Sequence, residues 1–337
     1  MKTRQSNIEL LRIISMIMIL CVHFTGATFP LPFILDIKDL SSVNTLSKML
    51  MESFAIIGVN CFVLISGYFG IKQSLNGIIN FIIWCLFYSV GIYTLVAIIH
   101  PSSHNISAVL SSFGIFSHTD LWFIPAYLAL YLISPIINNG IKNLKIKEFN
   151  MLLLALTFLN VYLGWFWHGT INPNGYNAMQ LIYIYIIGRY LKLFISTDSI
   201  NRKKYVYYYI ISFILIFTST FFCKSTMAFA YNSPFVICAS VSFFLIFTTF
   251  KFQNKLINYI ASSAFAVYLI HKMPPVWSTL RDFLYNTTQN YNIVYFVIFW
   301  ILYVLTIFII CILVDKIRIK ITTPISNQIS TLIQKII

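Results

Sequence analysis

The sequence contains very little charge. Only 9% of its 337 residues are charged and 59% are hydrophobic, whereas a soluble domain usually has about 25% charged residues. So few charges do not cover the surface of a globular protein in water. The composition therefore excludes a soluble protein and predicts an integral membrane protein.

The motifs of several enzyme classes are also missing. The chain has no glycine-rich phosphate loop, no His-Glu-x-x-His motif and no Gly-x-Ser-x-Gly nucleophile elbow. Its six cysteines stand singly in apolar runs without a Cys-x-x-Cys pair. We therefore expect these cysteines to be small, buried apolar residues. These absences argue against an ATP-driven pump, and we expect no metal cofactor.

Apolar runs of about 20 residues, the length of one membrane-spanning helix, recur along the whole chain. Helices are the expected element because every backbone polar group in hydrocarbon needs an internal partner and the alternation of a β-barrel is missing. No linker or repeat divides the chain, so residues 1–337 are predicted to form a single membrane-embedded domain. We predict an all-α, polytopic transmembrane bundle of about ten spans: 8–28, 53–71, 77–99, 121–139, 150–167, 177–195, 205–223, 233–250, 256–273 and 291–314.

The net charge of +14 would indicate nucleic-acid binding in a soluble protein, but in a membrane protein it reports orientation. With the N-terminus inside, 16 Lys and Arg residues lie in predicted cytoplasmic segments and 5 in outside loops. Cytoplasmic loops carry such an excess of cations. We therefore predict cytoplasmic termini and no nucleic-acid partner.

The first span contains three ionisable residues, Glu9, Arg12 and His23. Such groups are costly inside a membrane and indicate function. Eleven residues separate Arg12 from His23, which is about 16.5 Å along a helix and within about 20° of the same face. Glu9 lies one turn before Arg12 and is placed to hold its guanidinium. Two alternatives stay open: Arg12 reaching the cytoplasmic headgroups, and His23 as a packing residue.

Polar or helix-breaking residues recur at other span ends. Ser66-Gly67-Tyr68 closes the second span, and close helix packing explains such small residues equally well. Asp120 and Trp122 begin the fourth span, whose Pro125 and Pro135 are expected to kink it beside a cavity. Trp122 also fits an aromatic belt. His271 ends the ninth span, where anchoring at the outer interface is favoured over catalysis.

Four segments together resemble the integral membrane acyltransferase 3 family, the sugar and polysaccharide O-acetyltransferases. The family's pattern of Arg, ten residues and His is matched by Arg12 and His23. The other segments run from Gly58 to Tyr68, from Leu121 to Pro135 and from Ser263 to His271, in the same order and spacing. Many members carry Arg-x-x-Arg after the second span, where this sequence has only Lys72.

The resemblance implies a multi-pass protein of the bacterial cytoplasmic membrane. It would move an acetyl group from cytoplasmic acetyl-CoA, the cosubstrate, to a hydroxyl of a cell-surface polysaccharide or a lipid-linked sugar. His23 would act as general base or carry the acetyl group covalently. The implied donor site contains Arg12, Glu9 and Lys72, and the implied acceptor site contains Trp122, Tyr131, Asp120, His271 and Tyr68.

A second hypothesis is a glycan exporter or flippase that performs no acyl transfer, since a polar groove and broken helices fit transport too. A third, a glycan polymerase or glycosyltransferase, generally needs a large outside loop or acidic catalytic groups. The longest predicted outside loops have only about 20–25 residues.

Overall fold

The computed structural model describes residues 4–28, 32, 34–36, 43–101, 106–169, 171–288 and 292–334. Helices dominate this part of the chain and no strand occurs in it, which confirms the all-α prediction. Lys2, Lys38 and Lys335, which entered the charge comparison, lie outside the described residues.

Fifteen α-helices follow one another along the described ranges. Single 3-10 turns at Ser112–Ser117, Thr119–Leu121, Pro173–Gly175 and Thr197–Ser199 join some of them, and a π-helical segment, Phe158–Phe166, continues α7. The helices are α1 Ser6–Thr28, α2 Val43–Ala55, α3 Gly58–Phe69, α4 Leu75–Ile99, α5 Ile106–Ser111, α6 Phe123–Ile141, α7 Ile146–Thr157, α8 Ala178–Phe194, α9 Arg202–Ser219, α10 Ser225–Ala228, α11 Pro234–Thr248, α12 Lys255–Ala261, α13 Ala264–His271, α14 Pro274–Thr288 and α15 Ile293–Gln334.

Six of the described helical stretches are long and apolar enough to cross a membrane. They are Ser6–Thr28, Thr45–Phe69, Leu75–Ile99, Phe123–Ile141, Ile146–Phe166 and Val294–Ile329. Helices α8, α9 and α11 cover three of the other predicted spans but are shorter or, in α9, begin with three cations. A multi-pass helical membrane protein is thus supported, while the count of ten spans and the orientation stay predictions.

Several helices begin at a side chain that accepts a hydrogen bond from the first turn, which satisfies a backbone N–H that has no partner inside the helix. Ser74 caps α4, Asn177 caps α8, Asn201 caps α9 and Asn254 caps α12, each accepting from the N–H three residues later. These polar residues explain why the four helices begin at these positions.

Small residues let α3 approach its neighbours closely. A Cβ on Gly67 would clash with the carbonyl oxygen of Tyr185 in α8, and one on Gly188 would lie 2.7 Å from that of Leu64. On the other side of α3, Gly58 contacts the backbone of α1 in the same way. The packing interpretation of Ser66-Gly67-Tyr68 is therefore confirmed for its glycine.

Two local expectations were wrong. The predicted ninth span, 256–273, is interrupted between α12 and α13 at Ser262 and Ser263. Pro125 does not kink the fourth span, because it lies in the first turn of α6, where a missing N–H costs no intrahelical bond. Pro135 lies in the interior of that helix, beyond its first turn.

Candidate active site

Helix α1 carries Arg12 near one end and His23 near the other, and a separate cavity adjoins each of them. Both side chains are half-buried. We call these cavities the arginine chamber and the histidine chamber. The prediction that both residues face the interior of the bundle is consistent with this arrangement.

Arg12 is held on two sides. Its Nε lies 3.2 Å from a carboxylate oxygen of Glu9, one turn earlier in α1. This contact is an ion pair and not a directed hydrogen bond, because the Arg12 Nε–H finds no acceptor with good geometry. The guanidinium carbon also lies 5.7 Å from the centre of the Phe62 ring in α3. The group is therefore fixed while its N–H donors stay available to an anion.

The arginine chamber has a volume of about 380 Å³. Arg4 adds a second cation to its lining, and aromatic rings from α4, α6 and α13 form most of the remaining wall. A cavity of this size that combines apolar walls with few polar groups is typical of small-molecule sites. The lining residues are Arg4, Glu9, Arg12, Phe62, Gly77, Asn80, Phe81, Trp84, Phe123, Tyr127, Tyr131, Ala261, Ser262 and Phe265.

At the far end of α1, His23 forms a pair with His271. Nδ1 of His23 lies 2.7 Å from Nε2 of His271, and Nδ1 of His271 contacts the carbonyl oxygen of Val267. A carbonyl oxygen only accepts, so Nδ1 of His271 carries a proton and its Nε2 carries a lone pair. Nδ1–H of His23 donates to that lone pair. This chain of bonds leaves the lone pair of His23 on Nε2.

The histidine chamber is small, with a volume of about 20 Å³. Met16, Ile19 and Val59 make part of it apolar, and Trp122, Tyr231 and Tyr268 add aromatic rings. The ring of Trp122 lies 5.7 Å from that of Tyr231 and 5.1 Å from that of Tyr176. These three rings form an aromatic platform next to His23.

A family model matches nearly the whole chain, including the helix that carries Arg12 and His23. The sequence model of the acyltransferase 3 family, described as an acyltransferase domain, matches residues 5–315. The chain belongs to this acyltransferase family. No curated protein and no solved structure matches it.

A buried amide network positions Tyr231 in the acyltransferase. Its backbone carbonyl oxygen accepts from Nδ2 of Asn60 at 2.9 Å and from Nε2 of Gln180 at 2.7 Å. Asn172 continues the network to Gln180 and to Asn160. Burial among apolar groups, reinforced by neighbouring Tyr176, holds the pKa of the Tyr231 hydroxyl well above its ordinary value, so Tyr231 stays neutral.

The other predicted site residues of the acyltransferase are dispersed. His271 is only 1% exposed, so the interpretation as an interfacial anchor was wrong. Tyr131 lines the arginine chamber and not the histidine chamber. Lys72 and Asp120 are exposed and line neither chamber. Tyr68 lines a third cavity, beyond α1, with Lys192 4.9 Å from its ring centre.

Several residues of the acyltransferase site had no signal in the sequence. Tyr231 and Tyr176 lie in connecting segments, and Trp277 in α14 packs 5.7 Å from the ring of His23. The ring of Trp277 also carries the ammonium of Lys272 at 4.2 Å. Isolated aromatic residues among 31 Phe, 21 Tyr and 6 Trp do not reveal which of them meet at a site.

Proposed function

We propose that this acyltransferase is a membrane-bound O-acetyltransferase that moves an acetyl group from cytoplasmic acetyl-CoA to a hydroxyl of a cell-surface or lipid-linked sugar. The observation that carries the proposal is the His23–His271 pair, which leaves a lone pair on Nε2 of His23. A lone pair of this kind is what a general base needs to take a hydroxyl proton.

The arginine chamber is proposed as the donor site. Arg4 and Arg12 supply fixed positive charge to the phosphates of CoA, and a guanidinium forms two parallel hydrogen bonds with a phosphate. Glu9 orients Arg12 through the 3.2 Å ion pair. Tyr131, which lines the same chamber, joins the donor site in this proposal. Lys72 is exposed, and the proposal assigns it no direct contact with the donor.

The distance between Arg12 and His23 along α1 suits a long donor molecule. Arg12 and His23 are about 16 Å apart along the helix, and the pantetheine arm of CoA is extended. With its phosphates near Arg12, the donor would carry its thioester toward His23. Both chambers adjoin α1 and have Phe62 in common, so they are neighbouring cavities along this proposed route.

The proposed reaction is a direct transfer. The sugar hydroxyl gives its proton to Nε2 of His23 while its oxygen attacks the thioester carbonyl carbon. The new C–O ester bond forms, the C–S bond breaks, and the proton passes from His23 to the departing sulfur, so that free CoA thiol leaves. His271 is proposed as a positioning residue, because its Nε2 holds His23 in the required tautomer.

The aromatic platform is proposed as the acceptor site. Trp122, Tyr176 and Tyr231 offer ring faces to a sugar, and the neutral hydroxyl of Tyr231 adds a hydrogen-bonding group. Asp120 lies two residues before Trp122 on the exposed surface, where it would meet the part of the glycan outside the platform.

The proposed topology follows the distribution of Lys and Arg. Ten spans with both termini in the cytoplasm would place Arg12 near the cytoplasmic face, where acetyl-CoA is found, and His23 in the outer half of the membrane. The bacterial cytoplasmic membrane is the proposed location. Topology is testable by labelling single cysteines introduced at exposed positions such as Lys72 and Asp120, which should react from opposite sides.

A mass comparison of surface glycans tests the function. Cells with the gene, without it, and with His23→Ala should be compared after membrane levels of the protein are matched. We expect glycan from the last two to lack the acetyl mass, because loss of a general base costs about 10²–10⁴-fold in rate. Normal acetylation in cells without the gene would refute the proposal, and loss of surface glycan with normal acetylation would indicate an exporter.

A further inference from the structure

Three phenylalanines stand between the two chambers. Phe62 in α3, Phe123 in α6 and Phe265 in α13 line both the arginine chamber and the histidine chamber. Their ring centres are 6.2 Å apart for Phe62 and Phe123, 6.4 Å for Phe62 and Phe265, and 6.2 Å for Phe123 and Phe265. We call this set the phenylalanine triangle.

Neighbouring rings hold the triangle in place. Phe123 stacks on Tyr127 at 5.6 Å, while Phe265 stacks on Phe81 at 5.9 Å and meets Trp84 edge-on at 5.3 Å. Aromatic pairs of these geometries are favourable beyond the burial of their area. The triangle is therefore a braced constriction and not a loose group of side chains.

The volumes on the two sides of the triangle differ greatly. The arginine chamber holds about 380 Å³ and the histidine chamber about 20 Å³. A single water molecule already needs at least about 10–15 Å³ of such space. The space next to His23 therefore fits a very small group, whereas the space next to Arg12 has the size of a small-molecule site.

We propose that the phenylalanine triangle selects the acyl group by length. It admits an acetyl group from the arginine chamber to His23 and excludes longer acyl chains, which have no room beyond the rings. This inference rests on the proposed acyl transfer and adds the residues that determine its donor specificity. Apolar rings suit this role because they neither hydrogen-bond nor ionise beside the thioester.

The experiment uses the full chain in inverted membrane vesicles from its own cells, which contain the native acceptor. Release of CoA thiol is measured with acetyl-CoA, butyryl-CoA and hexanoyl-CoA, and vesicles without the gene give the background. Phe265→Leu is the main variant, since Phe265 is half-buried and tolerates a smaller apolar side chain. Phe123→Leu is the second variant.

Phe243→Leu is the matched control. Phe243 in α11 is also half-buried and also packs on other rings, at 5.2 Å from Tyr209 and 5.0 Å from Phe247, but it lines neither chamber. The structural cost of losing one ring should thus be comparable in Phe243→Leu and Phe265→Leu. We expect Phe243→Leu to keep the donor preference of the wild type.

Wild-type vesicles should prefer acetyl-CoA. Phe265→Leu or Phe123→Leu should raise the ratio of the hexanoyl-CoA rate to the acetyl-CoA rate by about tenfold or more, because one methylene in an apolar pocket discriminates by about 10–200-fold. Equal use of all three donors by the wild type would overturn the inference. So would an unchanged ratio, or loss of all activity, in both variants at normal membrane levels. Absence of wild-type thiol release with every donor would instead refute the proposed function.

Discussion

Nδ1 of His23 and Nε2 of His271 lie 2.7 Å apart, although the two residues are 248 positions apart in the sequence. The second nitrogen of His271 contacts the carbonyl oxygen of Val267 in the same helix. The backbone of α13 thereby determines which nitrogen of His23 carries a proton. The orientation of a side chain in the first helix thus depends on a helix near the other end of the chain.

Replacement of His271 tests this relationship. His271→Ala should lower kcat by about 10–100-fold, the range seen when a metal-binding histidine loses the partner that orients it, with little change in the KM for acetyl-CoA. His271→Gln should recover part of the rate, since its side-chain oxygen can accept from Nδ1–H of His23. Steady-state kinetics in membrane vesicles measure both. An equal loss in the two variants, with reduced membrane levels, would indicate a purely structural role.

The proposed donor site predicts the effect of replacing Arg12. Arg12→Lys should raise the KM for acetyl-CoA by about tenfold, because lysine keeps the charge but loses the paired N–H donors and the contact with Glu9. Lys72→Ala is the control, and its effect should stay below about twofold because an exposed charge is screened by salt. A larger effect of Lys72→Ala than of Arg12→Lys would contradict the assignment.

Two tryptophans allow the proposed donor site and the proposed acceptor site to be tested separately. Trp122 lines the histidine chamber and Trp84 the arginine chamber. Trp122→Ala should weaken the use of the glycan acceptor by up to about tenfold, since an aromatic contact is worth about 0.5–1.5 kcal/mol and 1.4 kcal/mol corresponds to tenfold. It should leave the KM for acetyl-CoA nearly unchanged. Trp84→Ala should do the opposite. Titrating each substrate separately in vesicles distinguishes them, and identical effects would refute the division.

The amide network predicts a loss of both stability and activity. Gln180→Leu removes the 2.7 Å hydrogen bond to the Tyr231 carbonyl and leaves a donor of Asn172 without its acceptor. Each unsatisfied buried group costs about 1–3 kcal/mol. Thermal unfolding in detergent should show a lower Tm, and activity per folded molecule should fall as Tyr231 shifts.

Asn138→Leu is the control for this network. Asn138 accepts from the Tyr185 hydroxyl at 2.8 Å and donates to the carbonyl oxygen of Ile71, away from the histidine chamber. It should lower the Tm while activity per folded molecule is kept. Full activity of Gln180→Leu would show that the network does not position Tyr231 for function.

Glycine substitutions test the packing of α3 on α8. Gly67→Ala places a Cβ against the carbonyl oxygen of Tyr185, and such overpacking costs about 1–3 kcal/mol. At Gly91 in α4, a Cβ would meet no atom within 4 Å, so Gly91→Ala should gain about 0.5–1 kcal/mol from its helix preference. Opposite shifts of Tm in detergent are expected, and equal shifts would exclude a close helix contact at Gly67.

The elements of the fold were largely predictable from the sequence. Most predicted spans overlie described helices, but turns interrupt the second at Ile56 and Ile57 and the ninth at Ser262 and Ser263. The last helix, α15, runs on to Gln334, well past the predicted end of the tenth span at 314. Helices form through contacts between residues three and four apart, and apolar runs reveal them directly. The break at Ser262 and Ser263 was not predicted because no proline or glycine stands at that point.

The site was predictable only in part. Arg12, Glu9 and His23 belong to one helix, so the spacing of residues along α1 was enough to place them on one side of it, whereas the division into two cavities could not be predicted. Tyr131 was assigned to the acceptor, yet it lines the arginine chamber, because the rotation of α6 against its neighbours depends on side-chain packing between helices. The same reason applies to Tyr68, which faces a cavity on the other side of α1.

By itself the sequence determined that the chain is a helical membrane protein of the acyltransferase family, with a cation and a histidine on one face of its first helix. These properties depend on composition and on spacing within single segments. The tertiary structure alone decided that His271 orients His23, that the amide network holds Tyr231, and that three phenylalanines from three helices divide the cavity. Such contacts join residues far apart in the chain, and only the packing of whole helices brings them within a few ångströms.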